Sequence, residues 1–114
     1  MLTIEHNGYY PLTEENLDRF VPRQPGIYTL AVQLANGVHH NFFTSQSDNL
    51  YRSLRTVSLK DPCLVPSIVL DYMSHYRCYF TYFVILKPDY RNEMEKILTQ
   101  TSDPVSALKI INCN

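Results

Sequence analysis

The sequence predicts an α+β domain in which helices flank a small, mainly antiparallel, three-stranded sheet. Two observations lead to this prediction. The pair Asn36-Gly37 separates two β-rich runs, as in an antiparallel hairpin. A later run, Cys78 to Ile85, carries apolar and aromatic residues at both odd and even positions, which is typical of a central strand covered on both faces. The segments before, between and after these strands carry helix signals.

The first helix should begin after Thr13 and end before Pro22. A threonine hydroxyl can accept a hydrogen bond from the first helical turn, and proline cannot continue a helix. The β-rich run from Ile27 to Leu34 then predicts the first strand. A two-residue type I′ turn at Asn36-Gly37 predicts an antiparallel return from Val38 to Thr44.

After the hairpin, residues 45–48 are turn-like and provide caps for a short helix that ends before Asp61-Pro62. Another helix is predicted from Val65 to Ser74, before the central strand. Pro88-Asp89 begins a helix that runs to about residue 100, because proline is favoured at the first helical position. A last helical segment is predicted from Asp103-Pro104 onward.

The composition predicts one soluble, cytoplasmic domain over residues 1–114. A chain of 114 residues with 45% hydrophobic residues can bury one core, and no linker or repeat divides it. Neither a signal peptide nor a membrane-spanning run is present, so no membrane partner is expected. Cys63, Cys78 and Cys113 are widely spaced without a C-x-x-C pair, which predicts reduced thiols rather than a disulfide framework or a zinc site.

The charge balance bears on nucleic-acid binding. The chain has 10 basic and 11 acidic residues and a net charge of −1. A protein that binds a phosphate backbone usually has a clear excess of lysine and arginine, so this balance weakens the case for nucleic acid and favours a protein partner. A local basic patch is still compatible with it.

Two motifs along the chain resemble those of the GIY-YIG endonuclease domain. The chain contains the string Gly26-Ile27-Tyr28 on its first strand. In that family the second strand ends in Y-[IV]-G, a short turn follows, a helix begins N-L-x-x-R-L, and a later helix carries a glutamate. Here the second strand ends in Phe43-Thr44-Ser45, and the helix begins at residues 49–54 with the sequence NLYRSL. The resemblance covers residues 12–112, with G-I-Y and N-L-x-x-x-L as its literal matches.

The strand register assigns the second family tyrosine to Phe43 rather than to Phe42. A two-residue loop at Asn36-Gly37 would place Leu30 opposite Phe43 and Tyr28 opposite Ser45. Because side chains alternate between the faces of a strand, Tyr28, Leu30 and Phe43 would then share one face.

The resemblance implies a GIY-YIG-like fold with a DNA-cutting site. In active members two tyrosines, a helix arginine and a glutamate that binds one divalent metal ion converge beside the scissile phosphate. Tyr28 matches the first tyrosine, but Phe43 stands at the second, where a phenol is missing. Ser53 stands at the arginine position. Arg52 and Arg55 flank it and point about 100° and 200° away around a helix.

Glu95 corresponds best to the metal glutamate, with Glu93 as a weaker alternative. A solvated helix glutamate is nevertheless the preferred interpretation of Glu95, and Tyr28 is equally well explained as a structural tyrosine. Arg23, Arg52 and Arg55 are the candidate nucleic-acid contacts, although arginines also form ordinary solubilising surfaces.

Three functions are compatible with these residues. The preferred one is a nuclease-like pseudoenzyme that binds DNA or a protein partner, with no cofactor and with a homodimer as a possibility. The second is a divergent endonuclease that uses Mg²⁺ or Mn²⁺ on Glu95, together with Tyr28 and either Arg52 or Arg55. The third is an unrelated small α/β interaction domain.

Overall fold

A computed structural model of the protein describes residues 8–101 and the side chains of residues 8–98. The last segment predicted from the sequence, which starts at Asp103, lies outside this range. The described elements, in chain order, are β1 (Tyr10–Pro11), α1 (Glu14–Phe20), β2 (Gly26–Gln33), β3 (His39–Ser47), α2 (Leu50–Ser58), α3 (Ser67–His75), β4 (Cys78–Val84) and α4 (Pro88–Thr101).

The described strands form one antiparallel sheet of four strands in the order β1-β4-β2-β3. The predicted α+β class is confirmed, but the predicted number of three strands is wrong. The additional strand is β1, in which Tyr10 pairs with Phe80 and Pro11 pairs with Tyr79. A two-residue strand that contains proline has no alternating pattern, and proline cannot donate to a ladder, so no sequence signal marks it.

The hairpin between β2 and β3 closes with three residues, not with the predicted two-residue type I′ turn. Leu34 N donates to Val38 O at 2.9 Å, which leaves residues 35–37 in the loop. A type I′ turn needs a positive φ at both central residues. Gly37 meets this requirement with φ 83. Asn36 does not, because Lys60 is the one non-glycine residue with a positive φ in the described part of the chain. The asparagine-glycine pair therefore marks the hairpin correctly but builds a longer turn.

An irregularity in the ladder restores the predicted pairing. Near the turn, Gln33 pairs with His39, one residue away from the predicted register. The register shifts between Leu30 and Ala31, where the chain accommodates Phe42 as an extra residue of β3. Beyond this bulge Leu30 lies opposite Phe43 and Tyr28 lies opposite Ser45, so these two predicted pairs are confirmed.

The strand β3 extends further than predicted. Residues 45–47 were expected in a turn, but they continue the ladder until Ser47 pairs with Gly26. The change of direction occurs at Asp48 and Asn49 instead. Asn49 is the N-cap of α2, and its side chain accepts a hydrogen bond from Arg52 N at 3.0 Å. Thr13 caps α1 in the same way, at 3.2 Å from Asn16 N, so the predicted cap is confirmed.

Helices cover both faces of the sheet. On one face, α1, α2 and α3 bury the larger cluster, which includes Leu17, Leu30, Leu50, Leu54, Phe42, Val69 and Phe80. On the other face, α4 contributes Met94 and Leu98 to a smaller cluster around Ile27, Phe83 and Ile85. The strand β4 lies between β1 and β2, which confirms its prediction as a central strand. None of the described helices has the length and apolar character to cross a membrane.

The two cysteines in the described range have opposite environments. Cys63 is exposed, and Cys78 is buried in β4. Burial raises the pKa of the Cys78 thiol to about 11, and the nearby Lys60 charge lowers it by less. The folded state therefore favours the protonated thiol. This preference is intact below the ordinary thiol pKa of about 8.5, and its stabilising effect is lost as the pH rises towards 11.

We expect iodoacetamide to modify Cys63 in the folded protein at pH 8 and to leave Cys78 unmodified until the protein unfolds. A thiol with a pKa of about 11 is ionised to roughly one part in a thousand at that pH, and the thiolate is the reactive form. Peptide mass spectrometry with and without urea measures the difference, with Cys63→Ser as the control. Equal labelling rates for the two cysteines in the native protein would contradict the buried environment.

Candidate functional site

The structure brings together Tyr28 and Phe43, the two positions that the resemblance assigns to the family tyrosines. The rings of Tyr28 and Phe43 lie 6.3 Å apart between centroids, at 39° to one another. Tyr28 is 7% exposed and belongs to the larger core cluster, and Phe43 packs against the same cluster. The predicted shared face is therefore confirmed. Tyr28 is largely a core residue whose ring supports the sheet.

A shallow groove of about 220 Å³ lies beside Tyr28. We call it the Tyr28 groove. Its walls come from β2, from α2 and from the connection before α3, and the residues that line it are Tyr28, Arg52, Ser53, Thr56, Val57, Leu64 and Pro66. Tyr28 and Ser53, which the resemblance aligns with the first tyrosine and the helix arginine, thus border one surface depression.

Ser53 has a structural role at the arginine position. Its hydroxyl hydrogen-bonds to the hydroxyl of Ser47 at 2.6 Å. The Ser47 oxygen also accepts a hydrogen bond from Asn49 N at 3.0 Å. These contacts join the end of β3 to the first turn of α2, so the serine stabilises the connection between the two elements and supplies no positive charge to the groove.

Glu95 holds α4 against the outer edge of the sheet. Its Oε2 accepts a hydrogen bond from Gln46 N at 2.8 Å, and Gln46 Nε2 donates to Asn92 Oδ1 at 2.7 Å. The strand β3 is an edge strand, so this backbone N–H faces away from the ladder. The preferred interpretation of Glu95 as a solvated helix residue is wrong, because the carboxylate is half-buried and makes a long-range contact. Glu93 is exposed on the same helix.

Burial and two neighbouring side chains determine the pKa of Tyr28. Burial raises the pKa of its phenol most, a hydrogen bond with the Ser45 side chain lowers it, and the negative charge of Glu95 raises it. Tyr28 and Glu95 are therefore close enough to interact. The phenol therefore stays neutral at physiological pH. In this form it can donate and accept hydrogen bonds, but it does not act as a phenolate.

Arg52 and Arg55 lie on different sides of α2. Arg52 borders the Tyr28 groove, and its guanidinium contacts Asp48 Oδ1 at 2.7 Å. Arg55 Nη1 donates to the Tyr51 hydroxyl at 3.3 Å, and Arg55 lies 3.9 Å from Glu14. Neither guanidinium lies between Tyr28 and Glu95 in these contacts. Ser53 therefore has no replacement from its helix neighbours.

A second groove, of about 320 Å³, lies on the other side of the ridge formed by Arg52 and Thr56. We call it the arginine groove. Its lining consists of Arg23, Asn49, Tyr51, Arg52, Arg55, Thr56 and Leu59. The structure thus brings together all three arginines that the sequence singled out, including Arg23 from the loop before β2.

Tyr51 organises the arginine groove, and the sequence reasoning missed it. The guanidinium carbon of Arg23 lies 4.3 Å from the centroid of the Tyr51 ring. The Tyr51 hydroxyl accepts a hydrogen bond from Arg55 and donates one to Asp18. Its spacing of four residues from Arg55 on a helix was an available signal for their contact, but the stacking of Arg23 depends on the tertiary fold.

Comparisons of this chain with protein-family models, with curated proteins and with solved structures find no match. The case for a function consequently depends on the side chains described above.

The residues around Glu95 do not fit a divalent metal site. Mg²⁺ and Mn²⁺ prefer several hard oxygen ligands, usually with more than one negative charge. One oxygen of Glu95 already accepts the Gln46 backbone hydrogen bond, and the titratable group that interacts with its charge is the neutral phenol of Tyr28. Within residues 8–101, no group of three histidine, cysteine or acidic residues could hold a metal ion. We therefore derive no catalytic step through a metal.

Proposed function

We propose that this chain is a nuclease-like domain of the GIY-YIG type that does not cut DNA and serves as a binding module for nucleic acid or for a protein partner. The observation that carries the proposal is the hydrogen bond of Ser53 with Ser47. This residue occupies the position of the family arginine, and its hydroxyl is used to join β3 to α2. In this proposal the domain retains the GIY-YIG-like fold but lacks the positive charge of the family arginine.

The arrangement of elements supports a scaffold of this type. A hairpin, a helix directly after it and a later helix that carries a glutamate follow one another in the order that the resemblance implies. Tyr28 and Phe43 lie on one face of the hairpin. Glu95 comes from the later helix and acts electrostatically on Tyr28, although 67 positions separate them in the chain. The approach of Glu95 to Tyr28 is the part of this arrangement that the hairpin register does not already impose, and it supports the proposed likeness.

The chemistry of the site supports binding without cutting. Cleavage of a phosphodiester needs an activated water, positive charge on the pentacovalent phosphate and groups that transfer protons. Phe43 cannot transfer a proton, and Ser53 is neutral. Glu95 is engaged with the backbone of β3.

A divergent endonuclease is the second candidate function. It is favoured by one observation, namely that Arg52 borders the Tyr28 groove. Arg52 is 66% exposed, and its salt-bridge partner Asp48 is 77% exposed. Salt bridges at the surface stabilise proteins by only about 0–1 kcal/mol. Substrate binding could therefore release Arg52 towards a phosphate. This candidate requires a metal ion on Glu95, where the donor set fits poorly.

We expect no Mn²⁺-dependent cleavage of single-stranded, duplex or branched DNA by the purified protein. Glu95→Gln is the matched variant, because its side-chain oxygen can still accept from Gln46 N while the negative charge is removed. We expect this variant to behave as the wild type in the cleavage assay. Glu95→Ala removes the acceptor and should lower the free energy of unfolding by about 1 kcal/mol.

Gel electrophoresis of end-labelled DNA measures the cleavage, and urea denaturation measures the stability. The proposal is overturned by Mn²⁺-dependent cutting that Glu95→Gln abolishes without changing the urea midpoint. That result would establish the divergent endonuclease, with Glu95 as its metal ligand.

A further inference from the structure

The arginine groove concentrates positive charge in a protein that has almost none overall. Its lining contains Arg23, Arg52 and Arg55 and no acidic side chain, whereas the whole chain has a net charge of −1. Two of the three guanidiniums are held in place by Tyr51, one against its ring and one on its hydroxyl. A guanidinium that is already oriented loses less conformational entropy when it binds an anion. This surface is thus prepared for a negatively charged ligand.

Carboxylates contact three of the side chains that line the groove, and they limit the kind of anion that it can bind. Asp48 contacts Arg52, Glu14 lies 3.9 Å from Arg55, and Asp18 accepts from Tyr51. A long polyanion would pass over these carboxylates when it left the groove, and like charges repel one another. A compact anion in the groove meets three guanidiniums and neutral side chains, and no carboxylate belongs to the lining.

We infer that the arginine groove binds a phosphomonoester carried by a phosphorylated segment of a protein partner. This inference rests on the proposed function as a binding module and selects its protein alternative. A phosphomonoester carries a charge of about −1.5 to −2 and three acceptor oxygens, which match paired arginine forks. Its charge is concentrated on one group, so it can contact the arginines without extending over Asp48, Glu14 and Asp18.

The groove also offers contacts for the peptide that carries the phosphate. Leu59, at 59% exposure, borders the groove, and the amide of Asn49 and the hydroxyl of Thr56 lie beside the arginines. An exposed apolar side chain next to charged donors suits a peptide with a neighbouring apolar residue. The volume of about 320 Å³ lies at the lower end of the range of ligand-binding clefts, so it suits a small group such as a phosphorylated side chain.

Binding should proceed by exchange of partners. The surface salt bridges of Arg52 and Arg55 are weak because their charges are 43–77% exposed. A doubly charged phosphate can displace both carboxylates at little cost. Removing a competing carboxylate should therefore strengthen phosphate binding, while removing an arginine should weaken it.

The test uses fluorescein-labelled alanine-glycine pentapeptides with a central phosphoserine or phosphotyrosine, together with their unphosphorylated twins and a 12-nucleotide single-stranded DNA. Fluorescence anisotropy with the full chain measures binding. We expect a phosphorylated peptide to bind at least about tenfold more tightly than its twin and more tightly than the DNA. Arg55→Ala and Arg23→Ala should each weaken this binding about tenfold. Asp48→Asn should strengthen it.

Arg77→Ala is the matched control, because Arg77 is an exposed arginine at Tyr79, outside the arginine groove. Arg77→Ala changes the net charge by the same amount as Arg55→Ala. It should leave the affinity for the phosphorylated peptide within about twofold of the wild-type value. Equal affinity for phosphorylated and unphosphorylated peptides, or an equal effect of Arg77→Ala and Arg55→Ala, overturns the inference. Tighter DNA binding that Arg23→Ala weakens also overturns it, while the proposed function stands. Metal-dependent DNA cutting would refute the proposed function independently of the peptide result.

Discussion

Replacement of Gly26 by alanine is expected to prevent folding or to lower the free energy of unfolding by about 3 kcal/mol or more. A β-carbon at this position would lie 2.0 Å from the carbonyl oxygen of Phe83 and 2.8 Å from Leu50 Cδ1. The first of these contacts is with the backbone of the neighbouring strand β4, which cannot rotate away. Gly26 pairs with Ser47 on one side and with Val84 on the other, so a shift would disturb both ladders.

Gly37→Ala provides the comparison for this substitution. Gly37 has φ 83, and no atom lies within 4 Å of the added β-carbon, so the cost comes from the left-handed backbone alone. We expect a loss of about 1–2 kcal/mol. Urea unfolding followed by circular dichroism measures both variants. A Gly26→Ala protein as stable as Gly37→Ala would show that the sheet can relax around residue 26.

Replacement of Phe42 by alanine should lower the free energy of unfolding by about 3–5 kcal/mol. Phe42 is fully buried, and its ring stacks on Tyr72 of α3 with centroids 4.3 Å apart. It is the extra residue at the bulge of β3, so it anchors α3 to the sheet at the point where the ladder is irregular. The substitution would leave a cavity in the larger core cluster.

Phe43→Ala is the matched control, with the same chemical change one residue away. Phe43 is half-buried and contacts Tyr28 at the edge of the same cluster, so its loss should cost less than half as much. Thermal and urea unfolding compare the two proteins. An equal loss for both would contradict the assignment of Phe42 to the core and Phe43 to the surface of the candidate site.

The close packing around Gly26 gives a structural reason for the first residue of the G-I-Y motif. Glycine at the start of G-I-Y is required here because β4 and Leu50 approach the backbone closely. Tyr28 is likewise explained in large part by burial. Both residues are thus needed for the packing of β2, whether or not DNA is cut. Packing alone is therefore sufficient to explain the literal match, and tests of activity have to address Ser53, Glu95 and the arginines.

Because α2 separates the two grooves, their functions can be tested separately. Arg52 and Thr56 form the shared ridge, while Ser53 faces the Tyr28 groove and Arg55 faces the arginine groove. Substitutions at Arg23 and Arg55 therefore test ligand binding without altering the contacts of Glu95. Glu95→Gln conversely tests cleavage without altering the arginine groove.

The sequence by itself determined the features that depend on neighbouring residues. The cap at Thr13, the start of α4 at Pro88 and the hairpin at Asn36-Gly37 are local signals, and the structure contains each of them. The cap of α2 was predicted within residues 45–48 but is Asn49, because β3 continues to Ser47. The sequence also indicated Arg23, Arg52 and Arg55 as candidate contacts, because they lie near the two motifs along the chain. Such signals arise from hydrogen bonds and backbone preferences over a few residues.

Only the tertiary structure decided how distant residues meet. The pairing of Tyr10 with Phe80 in β1, the contact of Glu95 with Gln46 across 49 positions and the stacking of Arg23 on Tyr51 have no local signal. They depend on helix and strand positions that follow from burying the two core clusters. The physical reason is that a hydrogen bond or a ring contact is specified by distance in space, whereas local sequence patterns specify only backbone conformation and the face on which a side chain lies.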